Sequence, residues 1–210
     1  MQKAIYILFL FVAILHSTRL LSQQELTQYT SDFRFHDGIY KSFEEFKRND
    51  PSVKEQAIIS ENPEVQILIG NFATMQKISY YDEMGISHKL DRGEVWGYCS
   101  DGAIYVLLNN NFHRLSKIGA IIHFTESHNT FYYSRSYPVS AINRPVRLVQ
   151  YMIDFNTGEL LSYDLENFML LLQADQQLYA EFNSIKGKKK KEKQMFIYLN
   201  KFNLRNPINF

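Results

Sequence analysis

Three side chains able to hold a metal or move a proton stand close together in His123-Phe-Thr-Glu126-Ser-His128. Two imidazoles and a carboxylate are a common zinc donor set, and the same groups serve as acid and base in hydrolysis. Their spacing works against them. Side chains alternate along an extended strand, so His123 points away from Glu126 and His128. The three converge only if the chain turns near Thr125; otherwise the stretch is a strand end entering a polar loop. A metal-dependent hydrolase using His123, Glu126 and His128 is therefore the alternative, and a non-enzymatic module leads. No glycine-rich phosphate loop, Cys-x-x-Cys, His-Glu-x-x-His or Gly-x-Ser-x-Gly sequence is present. His36-Asp37 and His113-Arg114 have no spacing that assigns a role, and no cofactor is expected.

A second candidate is aromatic. Asp101-Gly102 lies between two apolar runs and suits the two-residue loop of a type I′ hairpin, which needs positive φ at both positions. Counting back from this turn, Ser100 faces Ala103, Cys99 faces Ile104, Tyr98 faces Tyr105, Gly97 faces Val106 and Trp96 faces Leu107. One face then carries Trp96, Tyr98, Tyr105 and Leu107, and the other Cys99, Ile104, Val106 and Leu108. Both faces are apolar, so the hairpin is expected to be covered on both sides. Trp96, Tyr98 and Tyr105 either pack a core or line a ligand pocket, and core packing is the simpler reading. Cys99 is the sole cysteine, so no internal disulfide forms, and it reads as a small apolar core residue.

The chain begins with Met1-Gln-Lys3, a twelve-residue apolar run from Ala4 to Leu15, and a more polar stretch to Ser22. This has the layout of an export signal and is too short for a bilayer span, which takes about 20 apolar residues. Cleavage after Ser22 leaves residues 23–210 as a single domain with no transmembrane span, in the periplasm or outside the cell. The alternative is an uncleaved anchor that borrows Thr18 to Leu21. Losing Lys3 and Arg19 leaves 21 basic against 22 acidic residues, a net charge of −1. Near-neutrality gives no support for nucleic-acid binding through phosphate neutralisation. Lys186 to Lys193 holds six lysines and one acid in eight residues. It is either a polyanion-binding surface or a solvated connection between helices.

The elements that must position these groups are strands first and helices last. Phe33-Arg-Phe35 and Ile39-Tyr40 flank His36-Asp37-Gly38, a second Asp-Gly turn read as a small hairpin. Ser42-Phe-Glu-Glu45 is a capping box, and a short helix follows it. Val65, Ile67 and Ile69 alternate, as do Ile78 and Tyr80. Asp82 to Gly85 is a four-residue turn. Asn109-Asn-Asn111 breaks the sheet, Ile118 to Phe124 is a strand with even-numbered residues inward, and Phe131, Tyr133 and Tyr137 suggest another. Val149, Tyr151, Ile153 and Phe155 alternate up to Asn156-Thr-Gly158, and Leu160 to Tyr163 returns. At Asp164 the period becomes helical, with Leu165, Phe168, Met169 and Leu172 and then Leu178, Tyr179, Phe182 and Ile185. A last helix carries Met195, Leu199 and Phe202. The fold class is α+β: an antiparallel meander, left open between barrel and sandwich, with a short N-terminal helix and two or three C-terminal helices.

Asp37-Gly-Ile-Tyr-Lys-Ser-Phe-Glu-Glu-Phe-Lys-Arg-Asn-Asp-Pro51, Trp96-Gly-Tyr, Tyr151-Met-Ile-Asp-Phe-Asn-Thr-Gly158 and Lys201-Phe-Asn-Leu-Arg-Asn-Pro207 together resemble uncharacterised exported proteins of Bacteroidetes-type bacteria. The resemblance implies export across the inner membrane of a Gram-negative cell and a family without an assigned activity. It transfers no catalytic residues. The leading expectation is a non-enzymatic exported module that binds an unknown protein or small ligand in the cell envelope through its sheet or an adjoining loop.

Overall fold

Consecutive strands joined by short loops pair with each other, most tightly across the two-residue loops Asp101-Gly102 and Asn109-Asn110. The computed structural model describes residues 26–59, 75–128 and 147–210. The export signal expected at residues 1–22, the alternation of Val65, Ile67 and Ile69, and Phe131, Tyr133 and Tyr137 lie outside the described residues. The strands are β1 (Gly38–Tyr40), β2 (Val53–Lys54), β3 (Ile58–Ile59), β4 (Lys77–Tyr81), β5 (Ser87–Asp91), β6 (Gly97–Ser100), β7 (Ala103–Leu108), β8 (Asn111–Lys117), β9 (Ile121–His128), β10 (Arg147–Asp154) and β11 (Leu160–Ser162). The helices are α1 (Phe43–Lys47), α2 (Leu165–Leu172), α3 (Gln176–Asn183) and α4 (Lys188–Arg205). Among the described residues, eight strands form an open antiparallel sheet in the order β11-β10-β9-β8-β7-β6-β1-β2, and β3-β4-β5 form a second sheet. The class is α+β.

The central hairpin has the register that its turn requires: Gly97 opposite Val106, Tyr98 opposite Tyr105, Cys99 opposite Ile104 and Ser100 opposite Ala103. Asp101 and Gly102 take φ of 52° and 71°. Opposed residues share a face, which sorts the large sheet into two apolar surfaces. One surface holds Tyr40, Cys99, Ile104, Val106, Leu115, Phe124 and Ile153, all buried in the main core with Phe46 of α1. On the other surface, Ile39 and Tyr98 pack with Ile78, Tyr80 and Leu90 of the second sheet. Farther along that same surface, Ile121 and Met152 are buried in the core that also takes in Phe168, Phe182 and Leu199 of the helices. Asn203 of α4 fixes the join, accepting from the Ile121 amide at 2.8 Å and donating to the Ile121 carbonyl at 2.8 Å.

Trp96 departs from its expected face. Its carbonyl keeps the register by accepting from the Leu107 amide at 2.8 Å. Its indole, however, stacks on Phe46 with ring centroids 4.7 Å apart, while Tyr98 and Tyr105 stack on each other at 4.7 Å in the other core. Gly97 permits the crossing. A Cβ there would lie 2.2 Å from the Tyr105 carbonyl oxygen, so β6 approaches β7 more closely than any side chain allows.

Four further expectations are corrected. Residues 33–35 form no strand, and β1 pairs instead with β2 and β6. The reason is Asp37, whose Oδ1 accepts from the Gly102 amide at 3.3 Å and from the Cys99 thiol at 3.1 Å and so serves the other turn. Asn109 and Asn110 do not break the sheet. Both adopt positive φ, 50° and 61°, and make the β7–β8 hairpin, since asparagine tolerates the left-handed region. Strand β9 begins at Ile121 rather than Ile118, and both its faces are buried. The lysine run is not a connection: from Lys188 onward it is the opening of α4. The capping box is half kept. Ser42 Oγ accepts from the Glu45 amide at 3.2 Å, but Glu45 reaches back to the Lys41 amide at 2.8 Å.

Candidate functional site

Strand β9 separates the residues of the proposed cluster as alternation requires. His123 lies on the helix side and Glu126 on the main-core side, and the His128 side chain is outside the described part of the chain. Among the described residues no group of three metal-ligating side chains forms.

Glu126 is 3% exposed. Its two oxygens each accept from Asn109 Nδ2 at 3.2 Å, and Oε2 also accepts from the Tyr151 hydroxyl at 3.1 Å. His113 Nε2 stands 3.8 Å from Oε1. The carboxylate thereby ties the β7–β8 turn to β9 and β10. A buried acid committed to three neighbours in this way is a clamp.

His123 is 5% exposed. A bulge in β8 between Leu115 and Lys117 brings Ser116 Oγ to 2.8 Å from Nδ1, and Gln150 Oε1 lies 2.9 Å from Nε2. A hydroxyl, an imidazole and an amide in line resemble a nucleophile, a base and its orienting group, yet the chemistry is weak. Ser116 also has the His123 carbonyl at 2.9 Å as an acceptor for its proton. An amide oxygen is neutral and steadies an imidazolium less than a carboxylate does. Burial moreover pushes the His123 pKa down, against a smaller upward pull from Gln150. The ring is a poor base and a good cross-strand pin.

A depressed folded-state pKa means that the unfolded chain takes up a proton first as pH falls. Stability is then full above the ordinary histidine pKa of about 6.5 and declines below it, by at most about 1.4 kcal/mol per pH unit for this one group. Denaturant midpoints measured from pH 7.5 to 5 should show that decline, and His123→Gln should flatten it. An equal slope in the variant would mean that other groups cause it.

Beside this pin is a hollow of about 420 Å³, lined by Gln150, Tyr163, Asp164, Leu165, Glu166, Lys188, Glu192 and Met195. Strand β10, the end of β11 and helices α2 and α4 form its walls. Tyr163 packs edge-on to the His123 ring at 4.8 Å, and burial pushes its pKa up to about 12, so the phenol keeps its proton. Its hydroxyl is buried and has no hydrogen-bond partner among the described residues. Such an orphan costs about 1–3 kcal/mol, so native folds rarely keep one without a use. Asp164 is already spent as the cap of α2, accepting from the Asn167 amide at 2.9 Å, whereas Glu166 and Glu192 are exposed. A second hollow, of about 360 Å³, is lined by Thr27, Arg34, His36, Arg48, Asn49 and Phe210 among others. Its buried amide is satisfied: Asn49 accepts from the His36 amide and the Tyr40 hydroxyl and donates to the Arg34 carbonyl.

Of the residues singled out by sequence, Trp96 is thus divided from Tyr98 and Tyr105, and His123 from Glu126. No motif or spacing in the sequence singles out Ser116, Gln150 or Tyr163. The one signal for them was polar residues interrupting an apolar alternation beside a helix cap. Cys99 is buried, and burial together with Asp37 drives its thiol pKa upward, which suits a core residue rather than a nucleophile.

No curated protein and no solved structure matches the chain. One family model does, over residues 38–206, from the start of β1 to the residue that closes α4. The chain belongs to that family, a family of unknown function designated DUF6563.

Proposed function

We propose that the protein is a non-enzymatic binding module that holds a small polar ligand in the hollow between β10, β11 and helices α2 and α4. In this reading it is exported and works in the cell envelope or outside it, as the pattern of residues 1–22 and the resemblance to Bacteroidetes-type exported proteins suggest. The observation that carries the binding role is the unpaired Tyr163 hydroxyl beside the hollow. A ligand acceptor that parts the side chains covering the buried phenol satisfies it. Glu166 and Glu192 take hydroxyl or ammonium donors, and Leu165 and Met195 supply the apolar floor usual in small-molecule sites. The alternative of a metal-dependent hydrolase has less support, because His123 and Glu126 face opposite ways.

Native mass spectrometry of the protein recovered from its own cells tests the proposal. A retained small molecule is expected, on a chain whose mass places Gln23 first. Tyr163→Phe should leave the melting temperature unchanged or raised, because it removes an unpaired polar atom. It should weaken rebinding of the recovered molecule by roughly tenfold, the worth of one good hydrogen bond. Equal rebinding by the variant, or wild-type protein that retains nothing, would contradict the proposal.

A further inference from the structure

The lysine run contradicts the local electrostatics of the helix that it begins. The N-terminal end of a helix is its positive pole, where acids stabilise and lysines oppose. Helix α4 nevertheless opens with Lys188-Lys-Lys-Lys191, with no acid in its first turn and no side-chain cap from Gly187, whose φ is 92°. Burial of Met195, Tyr198, Leu199 and Phe202 holds the helix down in spite of this.

Its opposite face is the informative one. At 100° per residue, Lys189, Lys193, Ile197 and Leu204 fall within one narrow stripe, about 22 Å long at 1.5 Å per residue, with Lys190 and Phe196 flanking it. All six are exposed, Phe196 by 43%, Ile197 by 50% and Leu204 by 83%. Lys188 has Glu192 nearby, and Lys191 donates to Asn183. Lys189, Lys190 and Lys193 have no acidic partner among the described residues. Lys117 of β8, with Nζ 6.0 Å from the Phe196 ring, extends the basic edge onto the sheet.

We propose that this face of α4 docks on an anionic phospholipid membrane. The lysines contact headgroup phosphates, and Phe196, Ile197 and Leu204 enter the interface between headgroups and chains. A purely phosphate-bearing partner such as nucleic acid accounts for the lysines and leaves Ile197 and Leu204, exposed on the same stripe, without a role. A membrane surface uses both. No described helix is long and apolar enough to cross a bilayer, so the contact is one of lying on the surface. It is independent of the hollow.

The test is sedimentation of the mature chain with phosphatidylcholine vesicles, with and without phosphatidylglycerol. Two variants are compared, K189Q/K190Q/K193Q and I197S/L204S. Because these side chains are exposed, I197S/L204S should melt with the wild type, and K189Q/K190Q/K193Q at or slightly above it, since it removes charge that opposes the helix dipole. Binding is expected only to the phosphatidylglycerol vesicles, about a hundredfold weaker for the lysine variant and roughly tenfold weaker for the apolar one. Failure of the wild type to bind would overturn the proposal. So would unaltered binding by I197S/L204S, or lysine-dependent retention on heparin with no affinity for vesicles, which would mark a polyanion surface instead.

Discussion

Phe46→Ala should destabilise the protein by about 4 kcal/mol, within the range for truncating a fully buried aromatic ring. Phe46 has no exposed surface. It stacks on Trp96 at 4.7 Å and on Phe35 at 5.6 Å, and meets Phe210 edge-on at 5.2 Å and Phe155 at 6.5 Å. Trp96 precedes β6 and Phe155 follows β10, so one ring from the five-residue helix α1 joins parts of the sheet four strands apart. A flat sheet would hold those strands about 19 Å from each other. The sheet therefore bends around α1, and the helix is packed as a keystone. Removing the ring leaves a cavity bordered by rigid aromatics that cannot collapse into it. Urea unfolding followed by Trp96 fluorescence measures the loss. A shift below about 1 kcal/mol would mean that α1 is only an appendage.

Gly97→Ala should cost about 3 kcal/mol or more, because the added methyl meets backbone rather than a movable side chain. Its Cβ would sit 2.2 Å from the Tyr105 oxygen and 3.3 Å from Val106 Cα. Strands β6 and β7 must part there, which strains the bond from the Leu107 amide to the Trp96 carbonyl and shifts the indole from its place on Phe46. Gly93→Ala is the control, since nothing lies within 4 Å of its added atom, and it should fall within about 0.5 kcal/mol of wild type. Equal effects of the two substitutions would mean that β6 and β7 do not approach closely enough at Gly97 to exclude a side chain.

These two residues mark the boundary of what the sequence made legible. The Asp101-Gly102 turn was readable because only a I′ loop satisfies both its glycine and its flanking strands, and the pairing of β6 with β7 followed residue by residue. Helix α1, the Asp164 cap of α2 and the positive φ of Gly158, 76°, were readable for the same kind of reason: each is decided within four residues. What failed depended on distant partners. Asp37-Gly38 has the letters of a turn, but the Asp37 carboxylate is used by Gly102, which is 65 positions away. The direction of the Trp96 side chain is set by Gly97 and by Phe46 of another element. Asn109-Asn-Asn111 reads as a break in the sheet, while positive φ at Asn109 and Asn110 makes it a turn.

The site was less legible than the fold. Alternation did divide His123 from Glu126, but no spacing could show that Glu126 would clamp Asn109 and Tyr151, or that Gln150 would meet His123. The lysine run was readable as charge and not as helix, because the repulsion among its lysines and the positive pole of the helix on which they sit are overridden by four buried residues farther along α4.

The binding claim is tested most directly by returning the molecule recovered with the protein to stripped, isotopically labelled protein and mapping the amide and side-chain shifts. Shifts gathered on Gln150, Tyr163, Leu165, Glu166 and Met195 are expected, with the Tyr163 ring among the largest. Shifts gathered instead on Trp96, Tyr98 and Tyr105, with the walls of the hollow unmoved, would contradict it.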